Sequence, residues 1–354
     1  MPFSAQNRKG TISGIIFVAL VAASATYIAG LGPIKALGIS PLVVGIVIGI
    51  FYANTLHNHF PSSWETGIVF SAKKILRFAI VFYGFRLTFQ QIVDVGPAGV
   101  TVSALMLSTT FLLGTWLGIK IFGLDRDTSM LTASGASVCG AAAVLATEPV
   151  LKAEGHKAAV AVSMVVLFGT ISMFLYPVMY ATIIEPATGF LHMTPEQFGI
   201  YTGGTIHEVA QVVAVPNSIP GAPEVMANDA VIVKMTRVIM IAPMLILLGI
   251  YLSYSAKKKG GVAGGVKLVI PWFAVYFIAV AGFNSLHIVP ENIVHQINVI
   301  DTFLLTMAMT ALGMQTRFAK FKGLGLAPLY TAAAMFVWLV VGGFIITKAV
   351  TAVL

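Results

Sequence analysis

The sequence predicts an all-α, polytopic membrane protein, and three observations predict it. The chain of 354 residues is 58% hydrophobic and only 10% charged, with a mean hydropathy of +0.92. It reads as about eleven apolar runs separated by short loops. Lys and Arg gather in alternate loops. A soluble domain carries about 25% charged residues. This chain cannot cover a water-facing surface of its size, which excludes the two or three soluble domains that length alone suggests. A helical span needs roughly 20 apolar residues. The alternating pattern of an outer-membrane barrel is absent, so the spans are helices.

In order, the apolar segments fall at about 11–30, 40–56, 71–91, 97–121, 129–150, 156–184, 197–215, 229–254, 268–287, 296–316 and 324–353. The first is long enough to span and lacks a clear cleavage site, so it reads as a helix rather than a signal peptide. Arg8 and Lys9 precede it; Lys73, Lys74 and Arg77 follow segment two; Lys120 and Arg126 follow segment four. Lys257, Lys258, Lys259 and Lys267 follow segment eight, and Arg317, Lys320 and Lys322 follow segment ten. Lys35 and Lys348 alone mark the clearly opposite loops. The positive-inside rule puts the basic loops and the N-terminus in the cytoplasm.

The middle of the chain breaks this alternation. Lys152 and Lys157 mark the loop after segment five as cytoplasmic, while the loop after segment six holds Glu185 and Glu196 and no Lys or Arg. Full crossings by segments five and seven would put both loops on the wrong side. Re-entrant segments, five from the cytoplasm and seven from outside, put both on the right one. Irregular backbone at membrane depth is tolerated where protein buries it or where it lines a water-filled cavity.

Internal similarity supports that reading. Ser134–Val144 (SGASVCGAAAV) matches Thr202–Val212 (TGGTIHEVAQV), and Ala158–Met164 (AAVAVSM) matches Asp229–Met235 (DAVIVKM). A weaker match joins Gly84–Phe89 to Gly313–Phe318. With re-entrant segments each matched pair runs in opposite directions, the inverted repeat common in secondary transporters. The units would be segments two to six and seven to eleven, related by a cyclic shift.

The repeat cores hold the candidate binding residues. Gly135, Gly140, Gly203 and Gly204 lower helix propensity and permit unwinding. Unwinding exposes half-helix N-termini, whose amides suit anions. Ser134, Ser137, Cys139 and Thr205 add small polar side chains. The competing reading, close packing of small residues, is assigned instead to Gly45-x-x-x-Gly49 and Gly114-x-x-x-Gly118. In segment seven, His207 and Gln211 are four residues apart, and Glu208 lies between them. Intramembrane ionisable groups are costly and are functional candidates; Glu208 or His207 could carry a proton. Lys234 and Arg237, three apart in segment eight, and Arg86 in segment three need acids, carbonyls or a bound anion. Glu208, Asp229 and Asp301 are the candidate acids. Snorkelling to an interface is the bland alternative.

Several function classes drop out. Cys139 is the one cysteine, so there is no intrachain disulfide. The net charge of +8 sits in loops between apolar runs, which is not a nucleic-acid face. No zinc-ligand spacing, P-loop or nucleophile–base set is visible, so no metal, cofactor or enzymatic reaction is expected.

The sequence resembles the YeiH-like family of bacterial inner-membrane proteins, labelled sulfate exporters, over nearly its whole length. The resemblance is carried by Pro41–Gly45 (PLVVG), Gly84–Leu87 (GFRL), Ser134–Ala143, Ile206–Val213 (IHEVAQVV) and Val233–Arg237 (VKMTR). The family is similar to cation/proton antiporters and anion transporters with inverted repeats and interrupted helices. That resemblance implies a mobile core, a scaffold and often a homodimer, and its label implies sulfate, sulfite or a sulfonate.

The expectation is one transmembrane transporter unit over 1–354 in the inner membrane. Its core would hold the interrupted segments 129–150 and 197–215 with the helices after them; the scaffold would include the segments with GxxxG faces. It would be a secondary active transporter, an exporter, of a small anion, with a proton as the coupling ion. An anion channel, or a membrane sensor or structural subunit that moves nothing, is the alternative.

Overall fold

The computed structural model describes residues 3–4, 7–32, 34, 40–258, 271–321 and 325–354. Lys35, Lys259, Lys267 and Lys322, used above for the charge pattern, lie outside them. Among the described residues the chain is helical and without strands.

In chain order the helices are α1 (Arg8–Gly30), α2 (Pro41–Phe51), α3 (Glu65–Phe70), α4 (Leu76–Tyr83), α5 (Phe89–Trp116), α6 (Arg126–Ser137), α7 (Ala141–Leu151) and α8 (Gly155–Met179). Then come α9 (Pro195–Thr205), α10 (Val209–Ala214), α11 (Glu224–Ile239), α12 (Ile241–Lys258), α13 (Trp272–Asn284), α14 (Glu291–Gln315), α15 (Leu326–Val337) and α16 (Gly343–Val353). Among the described residues seven helical stretches are long and apolar enough to cross a membrane: 8–30, 41–59, 89–121, 155–184, 224–254, 291–315 and 326–353. Segments three, five, seven and nine are not among them. Segment three begins in a helical stretch that runs from α3 through a π turn at Ser71–Ile75 into α4 and a 3₁₀ turn at Gly84–Arg86, and that stretch carries Glu65, Lys73, Lys74, Arg77 and Arg86. Segment nine is the shorter α13. Segments five and seven are each broken in the middle, into α6–α7 and α9–α10.

The chain forms two compact units. Unit 1 comprises Met1–Val93, Val213–Glu224 and Phe273–Lys320. Its core is α14 against α2, where small residues let backbones approach. A Cβ on Gly49 would collide with the backbone at Thr310 and Met314, and one on Gly45 would lie 2.5 Å from Thr310 Oγ1. α1 meets α3 in the same way at Gly14 and Gly67. A layer of Val18, Ala22, Tyr52, Ile68, Met307 and Ala311 fills the space between these helices.

Unit 2 comprises Asp94–Val212, Val225–Trp272 and Phe321–Leu354 and contains the breaks of both segments. Gly114 and Gly118, expected in the scaffold, lie in this unit. A Cβ on Gly114 would strike the Met335 sulfur and lie 3.1 Å from Ala133; one on Gly118 would lie 2.5 Å from Ser129 Oγ. The second GxxxG face therefore seats α5 against α6 and α15, so the motif separates close packing from loose packing but does not separate one unit from the other.

Candidate functional site

Segment five turns back on itself. Asp125 caps α6, its carboxylate accepting from the Asp127 and Thr128 amides, as N-caps do. α6 ends at Ser137, and the chain reverses through Val138, Cys139 and Gly140. Ser134 Oγ then lies 2.6 Å from Thr147 Oγ1, thirteen residues on. A continuous helix would separate them by roughly 20 Å at 1.5 Å per residue. The mouth of the hairpin is closed by Lys157, whose Nζ is 2.9 Å from Asp125 Oδ1 and 3.4 Å from Asp127 Oδ2. Both ends of segment five are thus at the same level.

Segment seven reverses too. α9 starts with a capping box, Thr194 with Gln197, and ends at Thr205. A Cβ at Gly199 would lie 2.6 Å from Met226 O, and one at Gly203 would collide with Ala230 O. Arg237 and Lys234 reach Gly204 O and Ile206 O. Rising numbers on α9 pair with rising numbers on α11, so the two helices run in parallel. The residues between them must carry the chain back to the level at which α9 began.

α8 relates the two hairpins. Its start meets the start of α6 through Lys157, and Val165 packs on Gly135. Its far half runs against α9: Tyr176 OH donates to Thr205 Oγ1 at 2.9 Å, and Tyr180 packs on Phe198. The two tips thus approach each other along α8 from its opposite ends. The matched sequences place break on break: Val138, Cys139 and Gly140 correspond to Ile206, His207 and Glu208.

The tips converge on α11. A helix C-terminus leaves carbonyls without partners and carries partial negative charge. Lys234 Nζ donates to Val138 O and to Ile206 O, each at 2.7 Å. Arg237 donates to Ala136 O (2.7 Å), Ser137 O (2.6 Å) and Gly204 O (2.7 Å). Val138 and Ile206 are matched positions in the two segments, as are Ala136 and Gly204, so each cation bridges equivalent carbonyls of both breaks. Both cations are 0% exposed. They neither snorkel nor rest on acids alone; neutral backbone carbonyls hold them.

The return strokes hold the acid. α7 is preceded by Gly140, whose φ of +73° and lack of space both require glycine: Glu208 Cγ lies 2.6 Å from where a Cβ would be. The half-buried Glu208 side chain of one hairpin therefore rests on the tip of the other, at the first turn of α7. Its own amide donates to Gln211 Oε1 at 3.2 Å, a cap for α10. Gln211 is wholly buried, and its Nε2 has no partner among the described residues; nor has Nδ1 of His207, 2% exposed. Cys139 is buried in the turn.

Other sequence candidates serve the scaffold of the tips. Ser134 and Ser137 tie α6 together and to α7, Ser137 Oγ donating to Ser134 O at 3.2 Å. Thr205 accepts from Tyr176 and donates to Tyr201 O at 2.6 Å. Gly135, Gly203 and Gly204 pack on Val165, Ala230 and Val102. Arg86 belongs to unit 1, where it meets Asp301 at 3.4 Å. Sequence reasoning missed Tyr176, Thr147 and Gly169. Of these only Gly169, a lone glycine in the apolar run of α8, carried a signal; a Cβ there would lie 2.5 Å from Gln211 Oε1. Among the described residues no three His, Cys, Asp or Glu side chains gather as a metal site.

No solved structure matches the chain. The family model described as "Conserved hypothetical protein 698" matches residues 13–332. A "UPF0324 membrane protein" of Pseudomonas putida is 47% identical over 344 residues, 97% of this chain and 95% of that protein. The "UPF0324 inner membrane protein YeiH" of Escherichia coli K12 is 45% identical over 345 residues, 97% and 95% of the two chains. A "UPF0324 membrane protein" of Bacteroides thetaiotaomicron is 44% identical over 342 residues, 96% and 98%. A match over most of the chain, with relatives this similar end to end, makes this all-α polytopic membrane protein a member of the family described as "Conserved hypothetical protein 698".

Proposed function

We propose that the chain is a multi-pass inner-membrane secondary transporter of a small anion, coupled to protons through Glu208. The observation that carries this reading is the meeting of two broken helices, entering from opposite ends of α8, at one buried cluster of charge. Broken helices of this kind hold solutes at the bilayer midplane in transporters with inverted repeats. Lys234 and Arg237 bring two positive charges to the meeting point against one from Glu208. Five of their eight N–H donors are used on carbonyls, which holds the tips together and leaves the positive field in place.

In this reading Glu208 occupies the first turn of α7, where an anion would also be favoured. Protonating Glu208 removes its charge and lets the solute take that place. Gln211 and His207 supply buried polar atoms beside it, Cys139 lies in the turn, and Ser134, Gly135, Ser137, Gly203, Gly204 and Thr205 shape the tips. The name of the family that the sequence resembles puts sulfate, sulfite and sulfonates first among the solutes to try.

A thermal-shift series on the purified protein tests the proposal, since a ligand that binds the folded state raises its stability by mass action. Sulfate, sulfite and small sulfonates are titrated at several pH values. At least one should stabilise the protein, more strongly as pH falls, and Glu208→Gln should remove the pH dependence. No stabilisation by any small anion at any pH would sink the reading.

A further inference from the structure

Unit 1 holds a buried acid that the transport reading does not use. Asp301, on α14, is 1% exposed. Asn298 lies three residues earlier, on the same helix face. Arg86, at the end of the 3₁₀ turn, reaches both: its Nη2 donates to Asn298 O at 2.7 Å and to Thr302 Oγ1 at 2.8 Å, while Asp301 Oδ2 is 3.4 Å away. A charge-assisted N–H···O bond ordinarily measures about 2.7–2.9 Å. The guanidinium therefore makes its short bonds to neutral oxygens and its longest contact to the carboxyl group. Its Cζ lies 5.1 Å from the centre of the Tyr83 ring, over whose face the charge is supported.

The other oxygen of Asp301 is the telling atom. Asp301 Oδ1 and Asn298 Oδ1 are both buried with no hydrogen-bond partner among the described residues. Two acceptors on one helix face lack a donor, Arg86 Nε lacks an acceptor, and a buried polar group without a partner is costly. A carboxyl group becomes a donor when protonated. A proton on Oδ1 would make that oxygen a donor, with Asn298 Oδ1 one turn earlier on the same face as an acceptor, and it would remove a carboxylate that has no short donor in a buried place.

We propose that Asp301 is a proton-binding site, the proton residing on Oδ1 and directed at Asn298 Oδ1. Water delivers the proton on uptake, leaving hydroxide, and takes it back on release as hydronium. Once ionised, Asp301 draws Arg86 off Asn298 O and Thr302 and pulls on the turn at 84–86. That turn is held elsewhere by Asn284, whose amide donates to Phe85 O and Leu87 O. α1, α2, α3, α4 and the turns beside them pack on α14, and among the described residues Arg86 and Tyr83 bring a charged or titratable group to Asp301; Glu224 acts on Tyr83. The site stands whether or not the protein carries anions.

Infrared difference spectra of the full-length protein in lipid vesicles, recorded between acid and alkaline pH, read the proton directly. The wild type should show a carboxylic-acid carbonyl band that titrates, is lost completely in Asp301→Asn and persists in Glu208→Gln. In Asn298→Leu, which removes the acceptor, the band should move to higher frequency. Asp301→Asn should also fold with wild-type thermal stability at low pH, because its amide can donate to Asn298 Oδ1 as the acid would. If that variant does not fold, the Asn298→Leu shift decides alone. A spectrum with no Asp301 band at any pH, or an Asn298→Leu band that stays in place, would overturn the site and leave a permanent Arg86–Asp301 ion pair, with or without a bridging water.

Discussion

Lys234 and Arg237 show how a residue can be conspicuous in a sequence while its role stays hidden. Their three-residue spacing puts them on one helix face, and two cations in an apolar run invite the search for a counterion. Their partners are instead carbonyls 28–33 and 96–101 residues away. Lys234→Met would orphan two of these and Arg237→Met three, at about 1–3 kcal/mol for each buried carbonyl left unpaired. Losing a buried charge offsets part of that cost. Both variants should unfold at lower temperature than the wild type in detergent, Arg237→Met by the larger margin. Arg237→Lys should fall between, since one ammonium lacks the planar fork that spans three oxygens. Equal melting temperatures for all three would mean that the breaks are held by something else.

At the scale of the element, segment five is a hairpin whose ends lie together, and segment seven breaks at the matched position. On a Cys139→Ala background, cysteines at Asp127 and Lys152 should react with an impermeant reagent from one side of the membrane, the cytoplasmic side by charge count. Cysteines at Glu185 and Glu196 should react from the other. Opposite sidedness for Asp127 and Lys152 would mean that segment five crosses. The mouth of that hairpin also has a pH signature. Partial burial pulls the Asp125 pKa up, but the Thr128 hydroxyl and amide and the Lys157 ammonium outweigh it and hold it down, from 3.8 to about 2. A group whose folded pKa is depressed stabilises the fold above its unfolded pKa and loses that contribution as pH falls through the folded value. The melting-temperature gap between wild type and Asp125→Asn, which keeps a cap but not the charge, should therefore be full above about pH 4 and close towards pH 2. The gap should be small, since both partners are partly in solvent.

At the scale of the molecule, the question is whether the buried meeting point of unit 2 opens to one side at a time. A carrier working by alternating access must return after each cycle, so its flux saturates, and solute loaded on the far side speeds exchange. A channel shows neither. Vesicles holding the purified protein should show saturable uptake of a labelled anion that rises when unlabelled anion is trapped inside. Flux that increases linearly with concentration and ignores trapped anion would point to the channel.

Composition alone was enough to make this chain a helical membrane protein, because a surface with so few charges has no stable place in water. The charge pattern around Lys152, Glu185 and Glu196 also marked segments five and seven as anomalous, and the SGASVCG and TGGTIHE runs marked where each would break. These signals are local: glycine weakens a helix wherever it sits, and loop charges respond to the membrane one loop at a time. What filled the breaks was not legible. That Arg237 and Lys234 neutralise two helix ends, that Glu208 rests on Gly140, and that Arg86 and Asp301 meet 215 residues apart depend on which helices pack together. Only tertiary structure decides that, because a helix face specifies what it can bury and not which distant carbonyl or carboxyl group will face it.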